Sequence, residues 1–525
     1  GLGDSNNIEI TAQTLNNLGY IIAQKGNTSI NAKGDISNQG EIIGNNVTIK
    51  SEKDFVNYGM VSAMEKVLIQ VNKFLNAGYD PSGASLLEQY LTEFYKLTNE
   101  SVTDAENMIL DIEDRLKRVT DPKEREILEA KKAHLVAVKA DLEKLTEDLK
   151  MVSFGTVAGK DIDITTTGTR TTGKTNDNLD NSGIIKAENK LNINSAAGIT
   201  NNGIIEASKE LTMKAGGDIE NTRRIYGGDK ATIEGKSFSS VGGEDALKEY
   251  TEALSEYESK LKEYGVSKFE DFDVKIKALE AQLQKETDAK KIADLSKQIE
   301  TLRKQKWDVS VKKAELSSLR FGIVESKDLT INVKDKIDNQ GIIGASESLK
   351  LKSESGDIDN AGIIIANKAD IDAGKDINNN GIINIDNDLN LSAKGNVTSN
   401  GTITVGENLT GKIINNFEID SLKVGKNIGL ETGNAKFKKE LEVGGDAKIT
   451  LTGTDQNVEI NGTANIVKSL DIKGGGLSNT GTTTIGENLK VDKGNSNSSF
   501  SNTGDLNVAK DTNILTEGFN NANKM

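Results

Sequence analysis

The sequence predicts a mainly β protein: a right-handed parallel β-helix (solenoid) carrying two inserted α-helical coiled-coil hairpins. Three observations carry that expectation. An Asn-x-Gly element recurs about every 20 residues, short alternating apolar segments follow each recurrence, and in two Lys/Glu-rich segments the apolar spacing turns helical.

The recurring element stands at Asn17-Leu18-Gly19, Asn38-Gln39-Gly40, Asn57-Tyr58-Gly59 and Asn76-Ala77-Gly78, separated by 21, 19 and 19 residues. It returns at Asn181-Ser182-Gly183, Asn201-Asn202-Gly203 and Asn221, and again at Asn339-Gln340-Gly341, Asn360-Ala361-Gly362 and Asn379-Asn380-Gly381. A fixed period of this length marks a solenoid, because one coil cannot bury its apolar face alone and must stack on the next. These Asn and Gly residues are therefore read as structural turn positions rather than ligand contacts. Gly supplies positive φ, Asn tolerates left-handed geometry, and stacked Asn amides bond along the array.

Downstream of the turns, Leu191-Asn192-Ile193, Leu211-Thr212-Met213 and Leu349-Lys350-Leu351 alternate as half-buried strands do. The pairs that open each repeat, Ile184-Ile185 and Ile342-Ile343, are expected to feed the shared core, with Ile184 and Ile342 facing inward. Beyond Gly401 the wording changes to Val405-Gly406-Glu407-Asn408-Leu409, Val424-Gly425-Lys426-Asn427-Ile428 and Val443-Gly444-Gly445-Asp446, still 19 residues apart. The expected division is coils at 1–78, helical insertion at 79–153, coils at 154–242, helical insertion at 243–320, coils at 321–400 and variant coils at 401–525. A Thr- and Gly-rich excursion, Thr165 to Asn178, reads as a surface loop.

The insertions follow heptad steps. The first carries Leu128, Leu135, Val138, Leu142, Leu145, Leu149 and Val152; the second carries Ile292, Leu295, Ile299, Leu302, Val309 and Leu316, with Lys306 and Lys313 where apolar residues would otherwise fall. Thr120-Asp121 precedes Phe154 by 34 residues and Thr287-Asp288 precedes Phe321 by 34, so the returning helices match in length. Both insertions leave after similar words, ending at Gly78 and Gly242. They are expected to project from one corner, four coils apart, lying side by side or forming a two-pronged surface.

Composition bounds the chemistry. At 525 residues the chain exceeds what one compact core supports. It has 51 Gly, 2 Pro, 4% aromatics and a net charge of -15, which suits short strands and glycine turns and argues against a nucleic-acid surface. There is no Cys, so disulfide and thiolate chemistry are excluded. No apolar run is long enough to span a bilayer, and Gly1-Leu2-Gly3-Asp4 does not read as a signal peptide, so the sequence is expected to be an interior piece of a longer protein. With one His, His134, beside heptad residue Leu135, neither a catalytic base nor a zinc site is expected, and no cofactor is implied. Carboxylate pairs such as Asp161/Asp163, Asp357/Asp359 and Asp370/Asp372 superficially suggest a calcium site or an acid cleft, but read better as solvated outward positions.

Candidate partner-binding positions are therefore sought in the insertions, where aromatics concentrate: Tyr90, Tyr95, Tyr250, Tyr257 and Trp307, with the tips Thr120-Asp121-Pro122 and Thr287-Asp288. The same spacing also fits packing between helices.

Asn-x-Gly-x-Ile followed by Leu-x-Ile at this period resembles the haemagglutinin repeats of filamentous haemagglutinin and related two-partner-secretion exoproteins, including those of contact-dependent growth inhibition. The resemblance covers everything outside the insertions. It implies a secreted or surface-displayed fibre of a Gram-negative-type bacterium, an outer-membrane transporter partner during export, and adhesion to a protein or glycan on a host or neighbouring cell. The expected particle is an elongated monomer that neither inserts into membranes nor binds nucleic acid. The alternatives are a purely structural stalk for toxin delivery and, behind it, a polysaccharide-active enzyme.

Overall fold

Alternation settles first which side chains meet. In Ile342–Ser353, Leu349 and Leu351 are buried and Lys350 between them is exposed, as a period of two requires. The computed structural model describes residues 6–77, 102–119, 121–150, 155–168, 177–269, 271–319, 321–453 and 456–523. The chain divides into two compact units: coils from Gly1–Ala77, Thr156–Leu247 and Arg320–Met525, and a helical unit from Gly78–Gly155 and Lys248–Leu319.

The coil unit is mainly β, and its strands pair in parallel with their equivalents one coil away. Phe55–Asn57 pairs with Phe74–Asn76, which pairs in turn with Asp177–Asn181; this is the first face. The long strand Met60–Val71 supplies the other two faces, pairing with Thr156–Thr166 in two stretches on either side of a register shift between Gly159 and Asp161. Inward side chains stack from coil to coil, so Val61 lies over Val157 and Val67 over Ile162, all fully buried. Phe55 and Phe74 stack with ring centroids 5.2 Å apart. Each coil thus buries its apolar rows only against its neighbours, which is what a parallel β-helix requires.

The ladders continue through the variant wording. Val397 aligns with Phe417, Ala435, Val458, Leu477, Phe500 and Phe519 in successive coils. They also continue across the insertions. Asn76 aligns with Asn181 and Ser240 with Asn339, so the strands on either side of each insertion are direct neighbours. Both insertions leave between a first-face and a second-face strand. Their exits are four ladder steps apart, from Asn76 through Asn181, Asn201 and Asn221 to Ser240, or roughly 19 Å at ~4.8 Å per step.

One inward assignment needs correction. Ile343 is fully buried whereas Ile342 is only half-buried, because the strand's alternation turns the second residue of the pair inward. At Ile184-Ile185 both residues are buried.

The helical unit contains α1 (Val102–Arg118) and α2 (Pro122–Lys150) from the first insertion, and α3 (Glu244–Glu263), α4 (Asp271–Lys285) and α5 (Ala289–Ser318) from the second. The second insertion therefore holds three helices. Soon after α3 the chain turns at Gly265, whose φ of +64° suits glycine. Ile112 of α1 packs with Leu128 and Leu135 of α2. Ile276 and Leu283 of α4 pack with Ile292 and Ile299 of α5, and Ile127 and Ala130 of α2 join that same cluster. The two insertions thus share a hydrophobic contact.

Candidate functional site

Three places bear on function: the stacked turn residues, a groove on the third coil face, and the positions singled out in the insertions.

The turn asparagines are buried and bonded into a column. Nδ2 of Asn17 donates to Oδ1 of Asn38 at 2.8 Å, Asn38 to Asn57 at 2.8 Å, and Asn57 to Asn76 at 2.9 Å. The column continues from Asn76 through Asn181 and Asn201 to Asn221, and restarts at Asn339, Asn360 and Asn379, where Asn379 donates to Oγ of Ser399 at 2.9 Å. The second Nδ2 hydrogen of Asn38 reaches the Met60 carbonyl at 3.2 Å, so one amide makes two bonds to the next coil. The column breaks at Ser240, the exit of the second insertion. There Asn221 keeps its bond to the Ile323 carbonyl but donates to the Arg223 carbonyl at 2.9 Å instead of to a side chain of the next coil, and the Ser240 hydroxyl is buried without a partner.

The glycines of this element act by a different mechanism than the sequence suggested. None of Gly40, Gly59, Gly183, Gly203, Gly341, Gly362 and Gly381 is among the glycines with positive φ. A Cβ at Gly341 would lie 1.9 Å from the Gly322 carbonyl oxygen, and one at Gly59 would lie 2.1 Å from that of Gly40. Close stacking of coil on coil excludes a side chain there.

The groove lies on the third face and has a volume of about 1000 Å³. One side is a row of outward residues aligned coil by coil: Thr330, Lys350, Asp370, Asn390, Thr410, Gly429 and Lys448. The other side is the corner row that includes Lys368, Asp388, Asn408, Asn427 and Asp446. Both rows are organised by hydrogen bonds. Asn390 Nδ2 donates to Asp370 at 3.0 Å and Thr410 Oγ1 to Asn390 Oδ1 at 3.1 Å; in the corner row Asn408 donates to Asp388 at 2.9 Å and Asn427 to Asn408 at 3.1 Å. The amide of Asn408 holds the Asp388 carboxyl below its ordinary pKa, aided by Lys368. At Gly429 an added Cβ would meet nothing within 4 Å, so the row has a gap there.

Sequence reading treated Asp370 and its neighbours as isolated outward residues. The missing signal was the row itself, which emerges only when residues 19 or 20 apart are aligned by coil.

The carboxylate pairs are engaged by neighbours. Asp161 accepts from Asn189 at 2.8 Å, and Asp359 accepts from Asn378 at 2.8 Å and pairs with Lys336 at 2.6 Å. Burial would raise the pKa of Asp163, but Lys66 and Asn192 outweigh it and lower it. Among the described residues no group of three or more His, Cys, Asp or Glu could hold a metal ion.

In the insertions, Tyr90, Tyr95 and Thr120 lie outside the described residues, as does most of the Thr165–Asn178 excursion; the side chains of Trp307 and His134 are likewise not described. Tyr250 is buried, and Tyr257 packs with Leu261, Phe269, Phe272 and Val309. Asp288 caps α5 by accepting from the Lys291 backbone at 3.0 Å, and Asp121 accepts from the Lys123 backbone at 3.0 Å just before Pro122 opens α2. Thr287 is exposed beside the cap. The lysines in the heptad positions are also internal: Lys306 is buried, pairs with Asp273 at 2.9 Å and lies 5.4 Å from the Phe269 ring centre, with Lys313 4.9 Å from the same ring. The geometry thus gives Tyr250, Tyr257, Asp121 and Asp288 packing or capping contacts.

A stack of parallel coils with buried amide columns defines a repeat protein of the β-solenoid class. The haemagglutinin repeat family matches residues 1–40, 155–242, 322–364 and 364–416, all of them coil segments outside the helices. Those matches support a filamentous haemagglutinin-like exoprotein. No curated protein and no solved structure matches it. Haemagglutinin-repeat proteins are secreted or cell-surface, adhesin-like products of two-partner secretion, a structural family and not an enzyme family. Among the described residues no helix is long and apolar enough to cross a membrane.

Proposed function

We propose that this chain is an adhesive segment of a surface-associated exoprotein, in which the coils serve as scaffold and the helical insertions and coil faces are interaction surfaces. Its target is a protein or glycan on a host or neighbouring bacterial cell, and an outer-membrane transporter is its partner during export. One observation carries the reading: two long helical segments are accommodated between Asn76 and Asn181 and between Ser240 and Asn339 with no interruption of strand pairing. A stalk needs no such additions, whereas a binding protein gains surface from them at little cost to its scaffold. Within the same proposal, the seam of Leu128 and Leu135 and that of Ile292 and Ile299 act as coiled-coil pairs, and the protein works as a monomer.

The test is binding of the purified chain to host and bacterial cells, compared with a variant lacking both insertions. Saturable binding that falls on deletion supports the proposal. A chain that binds neither cell type points to the structural-stalk alternative.

A further inference from the structure

We infer that the third-face groove between Thr330 and Lys448 is a binding site for an extended, linear oligosaccharide. The inference rests on the reading of coil faces as interaction surfaces and names the ligand class of one of them. Its shape comes first. Six coil-to-coil steps separate Thr330 from Lys448, so at ~4.8 Å per step the row is about 29 Å long. A trough of that length suits a chain molecule better than a compact metabolite.

Its chemistry narrows the class. The row offers hydroxyl, amide, carboxylate and ammonium groups at one-coil intervals, a regular series of donors and acceptors suited to a polymer of hydroxyl-bearing units. Asn390 spends one N–H on Asp370 and keeps a second, while Thr410 donates to Asn390 and keeps its lone pairs. These bonds hold the side chains in place before a ligand arrives, which lowers the ordering cost of binding. Lysine stems and the Thr410 methyl supply C–H surface for sugar ring faces. Other polymers fit less well. Lys350, Lys368 and Lys448 are offset by Asp370, Asp388 and Asp446, so the groove lacks the net positive charge that a nucleic acid requires. No aromatic side chain lines it, so sugar rings would rest on the lysine stems and the Thr410 methyl.

Gly429 provides the test. A Cβ at its outward position meets nothing within 4 Å, so Gly429→Trp adds a large side chain at the groove. The full chain is titrated with defined linear oligosaccharides of four to eight units, both neutral and uronate-bearing, and the same proteins are assayed on cells. Gly429→Trp is expected to weaken oligosaccharide binding about tenfold or more at unchanged melting temperature. The double substitution Asn390→Ala with Thr410→Ala weakens it without adding bulk and serves if the tryptophan variant misfolds. Binding by the unaltered chain that neither variant reduces overturns the inference. Cell binding without any oligosaccharide binding overturns it too, but leaves the adhesin reading standing; oligosaccharide binding without cell binding does the reverse.

Discussion

Asn76 and Asn181 are 105 positions apart in sequence, yet the Nδ2 of the first donates to the Oδ1 of the second at 2.8 Å. Both residues are fully buried, so the amide column runs directly past the first insertion.

That bond predicts a defined loss. Asn181→Ala removes the acceptor for Asn76 and the donor to Asn201 and to the Ile204 carbonyl. Stranding such buried groups costs about 1–3 kcal/mol each, so the melting temperature of the coil unit should fall clearly. Thermal denaturation followed in the β-sheet circular dichroism band measures it. An unchanged midpoint would mean that the column contributes nothing to stacking.

The corrected facing of Ile342 and Ile343 predicts an asymmetry between adjacent residues. Ile343→Asp drives a carboxylate into a stack formed with Val324 and Ile364, and should cost several kcal/mol, on the order of 3–5. Ile342→Asp, at a half-buried position, should cost far less. Paired urea denaturation curves decide it, and equal midpoints for the two variants would contradict the assigned faces.

These residues also mark how far the sequence was legible. Period and alternation were visible because every coil repeats the same physical demand: an apolar row inward and a tight turn. What repeats does not reveal its own reason, so the glycines were read as turn conformers when coil-on-coil contact, as at Gly341 over Gly322, is what excludes a side chain. The groove stayed hidden because its residues are neighbours only through register. The insertions gave away their helices by heptad spacing, but not the contact of Ile127 with the cluster around Ile292, since no pattern within one insertion encodes its fit to another.

Asp420 predicts the response to acid. Its carboxylate is bonded to Lys439 at 2.7 Å with Lys438 at 3.6 Å, and the Lys439 bond, outweighing partial burial, holds its pKa below the ordinary value. A carboxyl whose pKa is lowered on folding stabilises the fold above its unfolded pKa of about 3.9, and that contribution is lost as pH falls through the lower folded value. Asp420→Asn should therefore be less stable than the parent chain at neutral pH, with the gap closing in strong acid. NMR titration of the Asp420 carboxyl, together with melting of both proteins across this range, tests the sign. A gap that widens on acidification would reverse it.

The shared hydrophobic cluster of the helical unit predicts coupling between insertions that the sequence presents as separate copies. Ile127 and Ala130 of α2 pack against Ile276, Leu283, Ile292 and Ile299 of α4 and α5. Ile127→Asp should therefore loosen the second insertion as well as the first, costing on the order of 1–3 kcal/mol for a partly buried apolar residue turned into a charge. Hydrogen exchange locates the effect. Amides of α4 and α5 around Leu283 and Ile292 should exchange faster in the variant, while those of the coil strand Ile342–Ser353 keep their protection. The same contact means that removing 79–153 leaves the ladder from Asn76 to Asn181 available to close but exposes one side of the second insertion's cluster. Exchange in α4 and α5 that ignores both Ile127→Asp and the deletion would show the insertions to be independent, and a two-pronged display of separate helical arms would then be the better description.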